Sequence, residues 1–337
     1  MYSIDLSLFT MKKVVFGILA STNEHYSKFI DIWIDNITRF KRGPYANLID
    51  FYFIYNEPDT SKSLIPDNME HPMYYHYYSK YNENYSMMDS FLNRTVCLLD
   101  YLQSTPFDYF IRTNLSTLFQ LDMVIQWIQK LPKYNIIAGT PIDELKYIYT
   151  YMSGTNIILS HDLVEFVLLN REYLLDEKVL HGDDQRISSL IIENLNVNLL
   201  LVKRLDFIEI TYNNDYMPPS IVFQSCYYLD NLFCYRFKTK NRENDIKYMK
   251  MLQKQFYLEN FNSLQFVRSI VNDPTTPYQK IYTQNTDYDN LTYKTFQITK
   301  LNNMENYHFY KNIVFKYPSS ICKNINRFDQ FIEIYKK

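Results

Sequence analysis

Short apolar runs that alternate with amphipathic stretches are the feature of this sequence that most restricts its fold. Residues 13–20 form a β-branched and aliphatic run that predicts a buried strand, and the apolar residues between Ile30 and Ile37 recur at helical spacing. Ser21, Thr22 and Asn23 lie between the two as candidate N-caps. Further strands are predicted at 48–55, 71–78, 107–112, 135–138 and 155–159, and further helices at 86–102, at 121–131, from 160 onward, at 185–195 and near 264–271. Strands that alternate with helices predict an α/β sandwich on a mostly parallel sheet.

The apolar content is high enough for a large core. Of the 337 residues, 47% are hydrophobic and 21% are charged, which is typical of a globular chain. The alternating pattern extends over residues 12–255 and weakens beyond them, where only a segment at 328–335 again looks regular. We therefore expect one domain over 12–255 and a C-terminal extension of unknown role over 256–337.

Glycine is scarce, and this excludes two common ways to bind phosphate. The chain has five glycines, about a fifth of the number expected from the usual content of about 7%. They lie far apart, at Gly17, Gly43, Gly139, Gly154 and Gly182. The sequence therefore contains neither G-x-G-x-x-G nor the P-loop pattern. If a nucleotide diphosphate binds, other groups must neutralise its charge.

Charge and cysteine content bear on the ligand class and the cellular compartment of the protein. The 35 basic and 37 acidic residues are mixed along the chain, without the basic patch typical of a nucleic-acid-binding protein. The four cysteines form no C-x-x-C motif and no metal-ligand pattern with the six histidines, which indicates free thiols in a reducing compartment. The first residues show no signal-peptide pattern, and no apolar run is long enough for a membrane span. We expect a cytoplasmic protein.

A polar segment, 111–117, directly follows a predicted buried strand. Ligands of open α/β sheets bind beyond the carboxyl ends of the strands, so Arg112 and Asn114 are candidate ligand-binding residues. The alternative is an ordinary strand-to-helix turn in which Ser116 or Thr117 is the N-cap.

Two adjacent carboxylates, Asp183 and Asp184, follow Gly182 and precede a predicted helix. Adjacent carboxylates repel each other, and one that lies near an apolar wall can have a raised pKa and act as a general base. The alternative is a helix N-terminus at which acidic residues interact favourably with the helix dipole.

The third segment, Ser153-Gly154-Thr155, is a turn of small residues that a substrate could approach closely. Such turns are common, so this segment alone predicts no function.

In this order, the segments resemble a GT-A-type glycosyltransferase. The resemblance covers residues 12–255 and is closest to the β-1,3-galactosyltransferase and Fringe-like group and to glycosyltransferases of large DNA viruses. The matching elements are Arg94-Thr95, Arg112-Thr113-Asn114-Leu115-Ser116, Ser153-Gly154 followed by Leu159-Ser160-His161-Asp162, Asp183-Asp184, and Cys234-Tyr235-Arg236-Phe237-Lys238. Each motif is short and permissive, and the resemblance rests on their order and spacing over some 240 residues.

The resemblance implies a Rossmann-like, nucleotide-sugar-binding fold and inverting transfer of a sugar to a glycan or glycoconjugate acceptor. Asp184 or Asp183 would be the general base. The donor implied is a UDP-sugar, with Ala20 and Ser21 lining the nucleotide pocket. Ser153 and Gly154 would face the acceptor.

Two departures from the family pattern concern the metal ion. The family holds manganese or magnesium on the diphosphate with Asp-x-Asp and a late histidine, where this chain has Asn114-x-Ser116 and Cys234. Neutral oxygens bind a hard cation less strongly than carboxylates do, and sulfur suits these cations poorly. The cations Arg94, Arg112, Arg236 and Lys238 are therefore candidate diphosphate ligands instead.

Two other readings of the sequence remain. A GT-A scaffold without activity would act as a glycan- or partner-binding module, which the replacements Asn114 and Ser116 favour. A sugar nucleotidyltransferase would share the α/β pattern, but the missing Gly-rich loop argues against it.

Overall fold

The computed structural model describes residues 11–57, 64–68, 70, 72–80, 87–144, 149–175, 182–212, 215–224, 232–258, 261–278, 280–283 and 294–295. The strands β1–β16 are Val14–Leu19, Ile49–Glu57, Leu64–Pro66, Tyr75–Lys80, Tyr109–Asn114, Thr117–Phe119, Ile136–Gly139, Pro141–Glu144, Tyr149–Met152, Asn156–Ser160, Asn198–Leu201, Arg204–Tyr212, Asp215–Gln224, Cys234–Lys238, Lys280–Thr283 and Lys294–Thr295. The helices α1–α8 are Glu24–Phe40, Met87–Tyr101, Leu121–Gln129, His161–Leu169, Arg171–Leu174, Asp183–Asn194, Arg242–Phe256 and Ser263–Val271.

The predicted α/β class is confirmed by an eight-stranded sheet that is mostly parallel. Its strand order is β11-β7-β10-β5-β1-β2-β4-β3. The pairs β1/β2, β1/β5, β2/β4 and β7/β11 are parallel, whereas β10 runs antiparallel to both of its neighbours and β3 runs antiparallel to β4. The carboxyl ends of β1, β2, β4 and β5 therefore meet at one edge of the sheet.

A second sheet of six strands, in the order β16-β15-β13-β12-β14-β6, was not predicted. The chain leaves the first sheet at Asn114 and enters the second at Thr117, where β6 pairs with β14. The reading of 111–117 as a strand-to-helix turn is therefore wrong, because a strand follows Ser116 and α3 begins only at Leu121. A two-stranded hairpin, β8/β9, precedes β10.

The two sheets share one apolar core around Phe119. Its ring centroid lies 5.4 Å from that of Phe16 in β1 and 6.2 Å from that of Trp33 in α1. Its backbone oxygen accepts a hydrogen bond of 3.0 Å from Asn36 Nδ2, and all four residues are fully buried. A side chain of the second sheet thus closes the core of the first.

Helix α1 begins where the sequence predicted. Asn23, one of the three N-cap candidates, accepts a hydrogen bond of 3.0 Å from the backbone N–H of His25. The helix spans 17 residues and buries one face. Within the described part of the chain, no helix combines the length and the apolar character needed to cross a bilayer.

The chain beyond residue 255 continues onto the second sheet. Helix α8 places Phe266 against Phe207 of β12, with ring centroids 6.0 Å apart, and Tyr278 lies 5.3 Å from the same ring. Strand β15 pairs with β13. The role of 256–337 as an extension stays a prediction, and the segment predicted at 328–335 lies outside the described residues.

Replacement of Phe119 by alanine should destabilise both sheets together. Loss of a fully buried phenylalanine costs about 3–5 kcal/mol of unfolding free energy. We expect a deficit of that size for Phe119→Ala in urea denaturation. The control is Leu169→Ala, at a side chain that is 85% exposed, which should change the unfolding free energy by less than about 0.5 kcal/mol. Equal losses in the two variants would refute the shared core.

Candidate active site

The candidate site lies at the edge where β1 and β5 end. Leu19 and Asn114 are aligned in the parallel pair, so the two strand exits are side by side. Arg94, from α2, donates hydrogen bonds to the backbone oxygens of Ala20 at 2.8 Å and Ile54 at 3.4 Å. The exit of β1 is thereby fixed to α2, with a buried guanidinium beside it.

A tight turn between β9 and β10 lies beside these exits. The backbone N–H of Asn156 donates to Ser153 O at 3.0 Å, and the N–H of Ser153 donates to Thr140 O at 2.8 Å. The Asn156 side chain accepts from the Thr140 N–H and donates to its hydroxyl. The turn is therefore held rigidly against the first sheet.

Both backbone groups of Gly154 are bound to the predicted site residues. Arg112 donates to the carbonyl of Gly154 and forms an ion pair with Asp183. The N–H of Gly154 donates to Asp184 Oδ2 at 2.8 Å. A strand, a turn and a helix thus meet at one residue, and Arg112, Gly154, Asp183 and Asp184 lie together although they are far apart in the sequence.

Glycine is required at position 154 by the close packing around it. No glycine in the described part of the chain has a positive φ, so turn geometry is not the reason. A Cβ at this position would collide with the Arg112 guanidinium and lie 3.0 Å from Asp184 Cβ. The absence of a side chain lets the cation and the carboxylate approach the turn from two sides.

Helix α6 presents its first turn to this site. Asp183 and Asp184 are its first two residues. They therefore also lie where acidic residues interact favourably with the helix dipole, which was the alternative interpretation of the pair. Asp184 Oδ1 accepts from the N–H of Gln185 at 3.0 Å. An ion pair of 3.0 Å between Arg186 and Asp89 ties the helix to α2.

Burial changes the pKa values of the charged side chains around Asp183. Its side chain and that of Arg112 are 6% and 5% exposed. Desolvation raises the pKa of Asp183, although the Arg112 charge opposes that shift. Burial, and then repulsion from Arg112, lowers the pKa of Arg94 to about 10. The guanidinium groups of Arg94 and Arg112 therefore lie close to the buried Asp183 carboxylate, and the second carboxylate, Asp184, lies next to it.

The second sheet contributes two site residues that the sequence analysis missed. Arg204 donates from Nη1 to Ser153 Oγ at 2.8 Å and to Thr155 Oγ1, and its guanidinium pairs with both oxygens of Asp206. All four residues are buried. The sequence does contain a signal for these two residues: Arg204 and Asp206 alternate with apolar residues, and alternate residues share one face of a strand.

The turn after β5 is bonded to β14. Asn114 Oδ1 accepts hydrogen bonds from Ser116 N at 3.2 Å, Ser116 Oγ at 2.9 Å and Thr117 Oγ1 at 3.0 Å. The N–H of Phe237 donates to Ser116 O at 2.8 Å, and Arg236 is the register partner of Thr117. The predicted residues Asn114, Ser116 and Arg236 are therefore neighbours.

Electrostatic coupling connects this turn to the carboxylates. The pKa of Arg236 is lowered by burial and by Arg204, and Asp184 is among the acids that raise it. Lys238, two residues along the strand, is exposed.

Ser21 lies at the exit of β1, where its hydroxyl accepts a hydrogen bond of 3.2 Å from the Asn23 N–H. The structure thus gathers at one edge Ala20, Ser21, Arg94, Arg112, Asn114, Ser116, Ser153, Gly154, Asp183, Asp184, Arg236 and Lys238. Their roles stay predictions.

The Asn114–Ser116 turn does not offer the ligands that a divalent cation prefers. The amide oxygen of Asn114 already accepts three hydrogen bonds, one of them from the Ser116 hydroxyl. Among the described residues, no group of three or more His, Cys, Asp or Glu side chains is arranged to hold a metal. Manganese and magnesium prefer carboxylate oxygens and water, which the Asn114–Ser116 turn does not replace.

A cavity of about 800 Å³ lies elsewhere, between α2 and α4. Apolar and polar side chains both line it, and His161 and Glu165 are 3.8 Å apart at its wall. Phe107, which precedes β5, also lines it, so this cavity opens at the amino end of that strand. It is therefore separate from the site at the carboxyl end.

No protein-family model matches this chain, and no curated protein sequence matches it significantly. The function must therefore be argued from the geometry of the site.

The two adjacent carboxylates should differ in their effect on stability. Asp183→Asn leaves the buried Arg112 without its countercharge, which costs about 3–5 kcal/mol. Asp184→Asn removes a hydrogen-bond acceptor from a partly exposed group and should cost about 1 kcal/mol. Urea denaturation of the two variants measures both losses.

The double variant Arg112→Met/Asp183→Asn is the control, because it removes both charges. We expect it to be more stable than Asp183→Asn alone. A loss in Asp184→Asn as large as that in Asp183→Asn would contradict the assignment of the buried pair.

Proposed function

We propose that this chain is a glycosyltransferase that moves a sugar from a nucleotide-diphosphate donor to an acceptor hydroxyl with inversion. The observation that supports it is the placement of Asp184. Its carboxylate is held by the backbone N–H groups of Gly154 and Gln185 at the carboxyl edge of the first sheet, next to a group of cations. A fixed base beside cations is what attack by a hydroxyl and departure of a diphosphate require.

Asp184 is the general base in this proposal. Each of its oxygens accepts one backbone hydrogen bond and retains a lone pair, and the side chain is partly exposed. As the acceptor oxygen bonds to the anomeric carbon, its proton passes to Asp184. The bond from the anomeric carbon to the diphosphate oxygen breaks, and its electron pair leaves with the nucleoside diphosphate.

Asp183 is a positioning residue in the same proposal. It is 5% exposed and its carboxylate is engaged with Arg112, so an acceptor hydroxyl has little access to it. It keeps the Arg112 guanidinium against the carbonyl of Gly154, and thereby orients the turn that holds Asp184.

The nucleotide would lie over the exit of β1, at Ala20 and Ser21, as the resemblance to the GT-A group implies for a UDP-sugar. The fixed contact between Arg94 and Ala20 supports this placement, because it keeps a positive charge beside the exit. Ser153 and Gly154 would border the acceptor on the other side.

A binding module without activity is the second candidate function. It is favoured by the Asn114–Ser116 turn, whose side chains bond to each other and form no cation site. Such a module would bind a glycan or a partner and release no nucleoside diphosphate.

Asp184→Asn should abolish most of the turnover while the protein stays folded. Loss of general-base help typically lowers the rate by about 10²–10⁴. The assay measures nucleoside diphosphate released from a panel of UDP- and GDP-sugars with a panel of glycan acceptors. Thermal unfolding of each variant checks that the fold is retained.

The matched control is Asp31→Asn, at an exposed aspartate of α1, which should leave the turnover unchanged. Undiminished turnover in Asp184→Asn would remove this carboxylate from the mechanism. Absence of release from every donor by the wild-type protein would favour the binding module.

A further inference from the structure

One face of the second sheet carries more positive than negative charge. Strands β12 and β14 are parallel neighbours, with Asp206 opposite Arg236 and Ile208 opposite Lys238. Register partners share a face, so Arg204, Arg236 and Lys238 lie on the same side as Asp206. Within 204–208 and 234–238, Asp206 is the only acidic residue.

Asp206 offsets only part of the positive charge of this face, because Arg204 engages both of its oxygens. Arg204 donates to both of its carboxylate oxygens, and the closest Arg236 nitrogen is 3.9 Å from Asp206 Oδ2. Arg236 Nε is buried and has no hydrogen-bond partner among the described residues. A buried N–H without an acceptor is costly, and the Arg236 side chain as a whole is still 19% exposed.

Lys238 extends the same charge toward solvent. Its side chain is exposed, and repulsion from Arg236 is the main cause that lowers its pKa. Two neighbouring cations raise the free energy of each other's charged form, and an anion bound between them would offset this repulsion.

These cations lie beside the turn at which a metal would be expected. Phe237, between Arg236 and Lys238, donates its N–H to Ser116 O at 2.8 Å. The Asn114–Ser116 turn does not offer the ligands that a divalent cation prefers, as shown above. Guanidinium and ammonium groups bind phosphate oxygens directly, the first as a fork and the second as a point charge.

We propose that Arg236 and Lys238, the cation pair of β14, bind the diphosphate of the donor in place of a divalent metal ion. The identity of the diphosphate as part of a sugar donor rests on the proposed function. The cation pair also stabilises the negative charge that develops on the leaving diphosphate, so neither binding nor transfer requires a metal.

The test is calorimetric titration of the full chain with inorganic pyrophosphate, UDP and GDP, in EDTA and then in manganese chloride. We expect at least one probe to bind in EDTA, with an affinity that manganese changes by less than about threefold. Lys238→Met should weaken this binding about tenfold or more, since a charged hydrogen bond to an anion is lost.

Lys254→Met is the matched control, because Lys254 is an exposed lysine in the last turn of α7. It should bind the probes as the wild-type protein does. Arg236→Lys, which keeps the charge but loses the fork, should bind more weakly than wild type. Because Lys238 is exposed, its variant decides the outcome even if a change at Arg236 impairs folding.

Binding that occurs only with manganese would overturn the proposal, as would equal binding by the Lys238→Met and Lys254→Met variants. Failure of all three probes to bind under both conditions would also overturn it. Metal-free binding through Lys238 without turnover of any sugar donor would leave the cation pair established and refute the transferase. Turnover that requires manganese would refute the proposed role of the cation pair and would leave the proposed transferase standing.

Discussion

The buried ion pair between Arg112 and Asp183 is the interaction on which the site depends. It joins the end of β5 to the start of α6. Nη1 of Arg112 donates to the carbonyl of Gly154, whereas the buried Nε has no hydrogen-bond partner among the described residues. A buried pair of this type repays its desolvation only when its hydrogen-bonding groups are also satisfied. Here the turn supplies one such acceptor, so a contact that stabilises the pair also orients the turn whose N–H, at Gly154, donates to Asp184.

The second sheet completes the site because the chain changes sheets at Asn114. Three residues later the backbone is in β6, and the pairing of β6 with β14 brings Arg236 to the end of β5. Strand β12 then carries Arg204 to the turn at Ser153. The polar faces of β12 and β14 therefore adjoin the edge of the first sheet, although no short sequence motif spans them.

The order of strands and helices was predictable where each element had one clear apolar face, as in β1, α1 and β5. Asp183, Asp184 and Arg112 were also singled out as candidates, because polar residues that follow buried strands or precede helices stand out in a sequence. The strands of the second sheet did not stand out. Strand β13 contains Pro218 and Pro219, which normally argue against a strand, and β12 alternates apolar residues with buried charges whose partners are distant in sequence.

The two backbone hydrogen bonds of Gly154 have a consequence for the geometry of the site. Its carbonyl and its N–H belong to two successive peptide planes, and each is bonded to a side chain from a different element, so the turn links the guanidinium on one side to the carboxylate on the other. The spacing between them is set when the chain folds, before any ligand arrives. A ligand that reaches Asp184 would therefore meet a carboxylate that is already oriented.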